Sequence, residues 1–219
     1  LGAVNGTILN FDSPSQALST SWLLAVLFVL VLTVKGFGPA RILWPVIAFL
    51  AFAVTGGKVS AGAVAVAAAG VPAVAGLALR RPWGRRAFVA AVIVVAAVAI
   101  SGLMFVWGAA SPGDLRLLQW NGRASTLQGL NSSPINRGVA LGTLTFILAM
   151  SARWLGAIWL FGTRRWRERI EPWLALGLVS AAVAPVILFA QGVNETWFAL
   201  TASAPLAALA AIGVVIGWE

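Results

Sequence analysis

The chain has 219 residues, of which 60% are hydrophobic and only 10% charged, and its mean hydropathy is +0.94. A water-soluble domain carries about 25% charged residues, so this composition excludes a soluble fold and identifies an integral membrane protein. With no Cys, His or Tyr, disulfides, thiolate nucleophiles, histidine bases and zinc or haem ligation are excluded too. No metal or cofactor is expected, and any chemistry must rest on carboxylates, Arg, Lys, hydroxyls, amides and backbone.

A bilayer core of about 30 Å needs roughly 20 apolar helical residues. That ruler predicts an all-α bundle of about seven spans, at residues 21–34, 39–55, 60–79, 87–108, 138–162, 173–191 and 197–218. Barrel strands alternate apolar and polar residues, whereas residues 87–100 are continuously apolar. No repeat and no low-complexity linker divides the chain, so residues 1–219 form one transmembrane domain. Pro72, Pro185 and Pro205 fall inside spans and should kink or open them. Gly138 with Gly142, and Gly213 with Gly217, have the spacing of close helix packing within one chain.

The net charge of +9 comes from 15 basic and 6 acidic residues. Its placement excludes nucleic acid as a partner, because the arginines flank apolar runs, where anionic headgroups and the positive-inside effect account for them. The segments RRPWGRR (80–86) and TRRWRER (163–169) are both expected in the cytoplasm. They are separated by an even number of crossings, so the two assignments agree. Lys35, Arg41 and Glu219 then fall inside, while Lys58, residues 111–137, residues 191–196 and the amino terminus fall outside. An outer amino terminus, a first residue Leu1 and no signal-peptide pattern suggest the carboxy-terminal part of a longer polytopic chain.

Taken in order, the candidate functional residues begin with Lys58 in TGGKVS. This segment resembles a phosphate loop but has Phe52 where that loop needs glycine. Gly56 and Gly57 before an outer-facing lysine suit an anion nest, or an ordinary turn. In the outer loop, Asp114, Arg116, Gln119, Asn121 and Arg123 alternate with Leu115, Leu117, Leu118 and Trp120. The pattern fits a short interfacial helix that holds a phosphate or sugar, or a plain amphipathic cover. Asp114, next to Gly113, also suits a helix cap. Arg153 stands inside the fifth predicted span, about nine residues or roughly 14 Å from its Gly162 end. A charge at that depth costs about 2.5–3.5 kcal/mol on insertion scales. It therefore either binds an anion or an acidic partner, or snorkels to the interface. Glu195 opens the last span, where the helix dipole favours a carboxylate. Three sequons, at Asn5, Asn131 and Asn194, lie on the expected outer side and matter only in a eukaryotic setting.

The order of these pieces resembles the carboxy-terminal membrane half of actinobacterial GT-C-type glycosyltransferases. The resemblance rests on the Gly-Gly-Lys-Val-Ser turn at 56–60, the arginine turn at 80–86, the polar loop at 111–137, and Asn-Glu-Thr-Trp-Phe leading to Pro205. It implies transfer of a sugar from a polyprenyl-phosphate donor on the extracytoplasmic face of a bacterial plasma membrane, in cell-envelope glycan assembly. Under it, Lys58, Arg116, Arg123 and Arg153 are candidates for phosphate or acceptor contacts. The family's catalytic acid lies in a first outer loop that has no match here; Asp12, in NFDSP, does not reproduce its pattern. The residues alone leave two other readings open: a transporter or flippase domain, and a non-catalytic membrane subunit of a complex.

Overall fold

The computed structural model describes residues 14–105, 154–188 and 194–218, and all regular structure among them is helical. The long helices are α1 (Pro14–Lys35), α2 (Ala40–Gly57), α3 (Val59–Ala78) and α4 (Gly84–Phe105). After the second described stretch begins, a 3-10 turn (Leu155–Ile158) runs into the short α5 (Trp159–Gly162). A second 3-10 turn (Trp166–Glu168) then leads to α6 (Glu171–Leu188), and α7 (Asn194–Trp218) follows. Among the described residues, five stretches are long and apolar enough to cross a membrane: Ala17–Lys35, Ala40–Gly57, Val59–Ala78, Gly84–Phe105 and Phe198–Gly217. The first helix extends about two turns ahead of its predicted start. The expected span at 138–162 is described only from residue 154, where its end is 3-10 turn and a single α turn rather than uniform α-helix.

The helices end where backbone chemistry dictates. Gly36, at φ +81°, closes α1: its N–H donates to the Thr33 carbonyl (3.1 Å) and the Phe37 N–H to the Leu32 carbonyl (2.8 Å). This left-handed cap is one glycine adopts without steric cost. The same pair of bonds closes α3, from Arg80 to Leu77 (3.0 Å) and Arg81 to Gly76 (2.8 Å), but here the left-handed position holds Arg80 at φ +50°. A Cβ in that conformation costs roughly 1 kcal/mol. Gly56 and Gly57 do not form the separate turn expected of them. They complete α2, and one extended residue, Lys58, joins α2 to α3.

At the centre lies α3, which packs against α1, α2, α4, α6 and α7. Its sequence, rich in Ala and Gly, lets neighbouring backbones approach closely, which is how helices associate where lipid supplies no hydrophobic drive. A Cβ added to Gly177 of α6 would stand 2.6 Å from the Ala67 carbonyl oxygen of α3, and one on Gly84 would stand 2.5 Å from Gly76. Gly213 rests on Gly156, and Gly217 on the Trp159 ring, so this pair serves packing within the chain. Both α3 and α7 continue as helix through Pro72 and Pro205. Large apolar side chains such as Phe28, Phe49, Val74, Val92 and Val215 face outward, as lipid-facing residues do. Two span hydroxyls bond back to their own helix, Thr33 to the Val29 carbonyl (2.7 Å) and Thr55 to Ala51 (3.1 Å), so these two groups need no water.

Candidate functional site

Alternating helix directions give the bundle two chemically distinct ends. One end gathers the connections at 36–39, 79–83 and 163–170. There Lys35 Nζ donates to Glu171 Oε1 at 2.6 Å, and Arg169 Nε lies 3.7 Å from Glu171 Oε2. Trp83 Nε1 donates to the Glu168 carbonyl at 2.8 Å, and the Arg86 guanidinium lies against Gly36. The two arginine-rich turns, expected on one side from charge alone, are thus joined at one end by direct contacts.

Glu171 was not anticipated as a site residue. It lies one residue before Pro172 and just ahead of the expected start of the sixth span, inside a turn whose arginines hid it. Its carboxylate is buried, with side-chain exposure of 8% against 41% for Lys35. Both partners stand where helix dipoles favour them, the acid in the first turn of α6 and the lysine in the last turn of α1. A carboxylate held between Lys35 and Arg169 is a latch between distant segments. Beside it, the Trp166 ring sits 5.4 Å from Trp173 and 5.5 Å from Phe161, with the Arg167 guanidinium 5.2 Å from its centroid.

The opposite end carries Lys58. Partial burial lowers its ammonium pKa below the ordinary lysine value. Its carbonyl accepts the Ala61 and Gly62 N–H groups at 3.1 and 3.3 Å, which opens α3 at that end. The α4 terminus closes over α2 here, Ser101 Oγ donating to the Phe52 carbonyl at 2.9 Å and the Phe52 and Phe105 rings meeting at 5.7 Å. Glu195 is the second residue of α7, and α7 enters from this same end, because its Gly217 end lies on Trp159 beside the basic turns. Of the residues expected to act together, Lys58 and the Glu195 backbone therefore share an end. Asp114, Arg116, Arg123 and Arg153 lie outside the described residues.

What the described residues can do chemically is limited in kind. They present a partly desolvated ammonium at one end and a field of guanidiniums at the other, both suited to holding anions. No group of three or more His, Cys, Asp or Glu that could hold a metal ion occurs among the described residues. Compared with known proteins, the chain matches no family model, no curated protein and no solved structure.

Proposed function

We propose that this chain is the membrane-embedded part of a glycosyltransferase that takes a sugar from a polyprenyl-phosphate donor on the extracytoplasmic face of a bacterial plasma membrane. In this reading the seven spans place the arginine-rich end in the cytoplasm and Lys58 outside. Lys58, Arg116, Arg123 and Arg153 hold the donor phosphate or the acceptor, with Asp114 and Glu195 bordering them, and the catalytic acid belongs to another part of the enzyme. The observation that carries it is Lys58: a cation drawn into partial burial at the head of α3, at the end remote from the arginines, where a lipid-borne phosphate would meet both its charge and the helix dipole.

Binding of a polyprenyl-phosphate sugar to the protein in nanodiscs tests this. Lys58→Ala and Arg153→Ala should each remove a charge-assisted contact and weaken binding by roughly 1.5–3 kcal/mol, an order of magnitude or more in Kd. Unchanged affinity in both variants removes these residues from the site. A second reading, a non-catalytic membrane subunit, draws on the backbone-to-backbone packing of α3 against α4 and α6, which suits a rigid wall; it predicts no donor binding at all.

Orientation has its own test, made simple because the chain contains no cysteine. Cysteine introduced at Lys58 should react with a membrane-impermeant maleimide added to intact cells, and cysteine introduced at Arg85 only after permeabilisation. The reverse pattern inverts the topology, and labelling of both from outside removes the spanning assignment.

A further inference from the structure

We infer that the basic end of the bundle is a binding site for the phosphates of anionic phospholipid headgroups, seated between the 80–86 turn and the 163–169 turn. This site lies at the end remote from Lys58 and is independent of the glycosyltransferase reading.

Charge accounting carries the first step. The described side chains at this end include two carboxylates, and both are already engaged, Glu171 by Lys35 and Arg169 and Glu168 by Arg165. Seven guanidiniums, those of Arg41, the four of residues 80–86, Arg164 and Arg167, have no carboxylate partner among the described residues. Only Arg81 of the seven is partly buried, and its Nε lacks a hydrogen-bond partner. Like charges gathered at one end of a bundle repel, and anions lying among them relieve that repulsion.

Geometry supplies the second step. The two turns are fixed to each other by the Trp83–Glu168 hydrogen bond, and the Gly76–Gly84 contact clamps the base of the first. The guanidiniums thus project from a braced platform, and planar guanidinium donors suit bidentate bonds to phosphate oxygens. Arg80 belongs to this platform at a conformational cost, since it occupies the left-handed cap position where glycine is unstrained. A residue that breaks a local rule in this way is expected at a functional position.

The choice of a lipid over a soluble polyanion rests on what surrounds the cations. Phe37, Ile42, Leu79 and Phe88 are exposed beside them in sequence, and the half-buried Trp83 and Trp166 rings stand at the same end, as aromatic residues do at headgroup depth. A ligand that meets both surfaces has phosphate at one end and hydrocarbon at the other.

The test is the thermal midpoint of the full chain in a zwitterionic detergent, titrated with dioctanoyl phosphatidylglycerol, dioctanoyl phosphatidylcholine, inorganic phosphate or a short oligonucleotide. The anionic lipid should raise the midpoint saturably, with the other three weaker by at least tenfold in half-saturating concentration. Arg85→Gln with Arg86→Gln, and Arg164→Gln with Arg167→Gln, should each shift half-saturation by the phosphatidylglycerol about tenfold upward. Arg80→Gly should raise the lipid-free midpoint by relieving the cap yet diminish the gain from lipid. Equal stabilisation by phosphatidylcholine overturns the proposal, and that comparison requires no variant. It is likewise overturned if the oligonucleotide matches the lipid, if both double variants keep the parent half-saturation, or if Arg80→Gly keeps the full lipid gain.

Discussion

Replacing Lys35 with methionine should destabilise the bundle by about 2–3 kcal/mol, and more than neutralising its partner by Glu171→Gln. The asymmetry follows from burial. Removing one member of a buried ion pair costs about 3–5 kcal/mol because the other charge is left uncompensated. In Lys35→Met the orphan is the Glu171 carboxylate, only 8% exposed, with Arg169 3.7 Å away, too far to replace the 2.6 Å hydrogen bond. The half-open setting of the lysine, 41% exposed, is the reason the expected cost falls below the buried-pair range. In Glu171→Gln the orphans are that same lysine and the part-exposed Arg169, which turn to water and headgroups, so the loss should be nearer about 1 kcal/mol. The double replacement Lys35→Met/Glu171→Leu leaves no buried orphan, only the part-exposed Arg169 guanidinium, and should recover to within about 1 kcal/mol of the parent. Denaturation in mixed micelles, followed through the tryptophans, reads all three. If Glu171→Gln proved the costlier single change, or the two losses simply added, the latch between α1 and α6 would not exist as described.

That latch also shows where sequence reasoning stops. Uninterrupted apolar runs bounded by Gly, Pro and Arg located α2 to α4, α6 and α7 to within a few residues and α1 except for its first two turns, because in a chain this apolar a helix is what satisfies the backbone. Charge placement brought the two arginine turns to the same end before any coordinates did. The partner of Lys35, however, lies 136 residues away, and nothing local to either residue announces the pairing. Glu171 was legible only as an acid ahead of a proline. Hydropathy was equally blind to the 3-10 turn at Leu155–Ile158, whose side chains are as apolar as those of a regular span. At 56–58 the Gly-Gly-Lys pattern suggested a loop, but glycine inside a helix costs only about 1 kcal/mol, and the apolar face of α2 carries the helix through it. Arg80 went unnoticed for the opposite reason, since a left-handed cap is normally signalled by glycine and here has none. Among the candidate phosphate ligands, Lys58 and Glu195 could be placed at one end by counting crossings, because each stands at a helix boundary.

Gly177 offers the sharpest test of the packing itself. Alanine there should cost about 2–3 kcal/mol, although alanine is the better helix former. Its added Cβ would stand 2.6 Å from the Ala67 carbonyl oxygen and 2.9 Å from the Ala68 Cα. Both are backbone atoms of α3, the helix held on its other sides by α1, α2, α4 and α7, so neither can swing aside as a flexible side chain would. Relief requires α6 to move bodily away from the centre, and overpacking of that kind costs about 1–3 kcal/mol. Gly70 supplies the contrast from within α3: a Cβ there meets nothing within 4 Å, so Gly70→Ala should be neutral or stabilising by up to about 1 kcal/mol through helix propensity alone. The same contrast should hold between Gly213, seated on Gly156, and Gly102, which is open. Midpoints of unfolding in mixed micelles rank the four. If Gly177→Ala were as benign as Gly70→Ala, α6 would not lie against α3 at backbone distance, and with that contact would go the reason for α3 at the centre of the bundle.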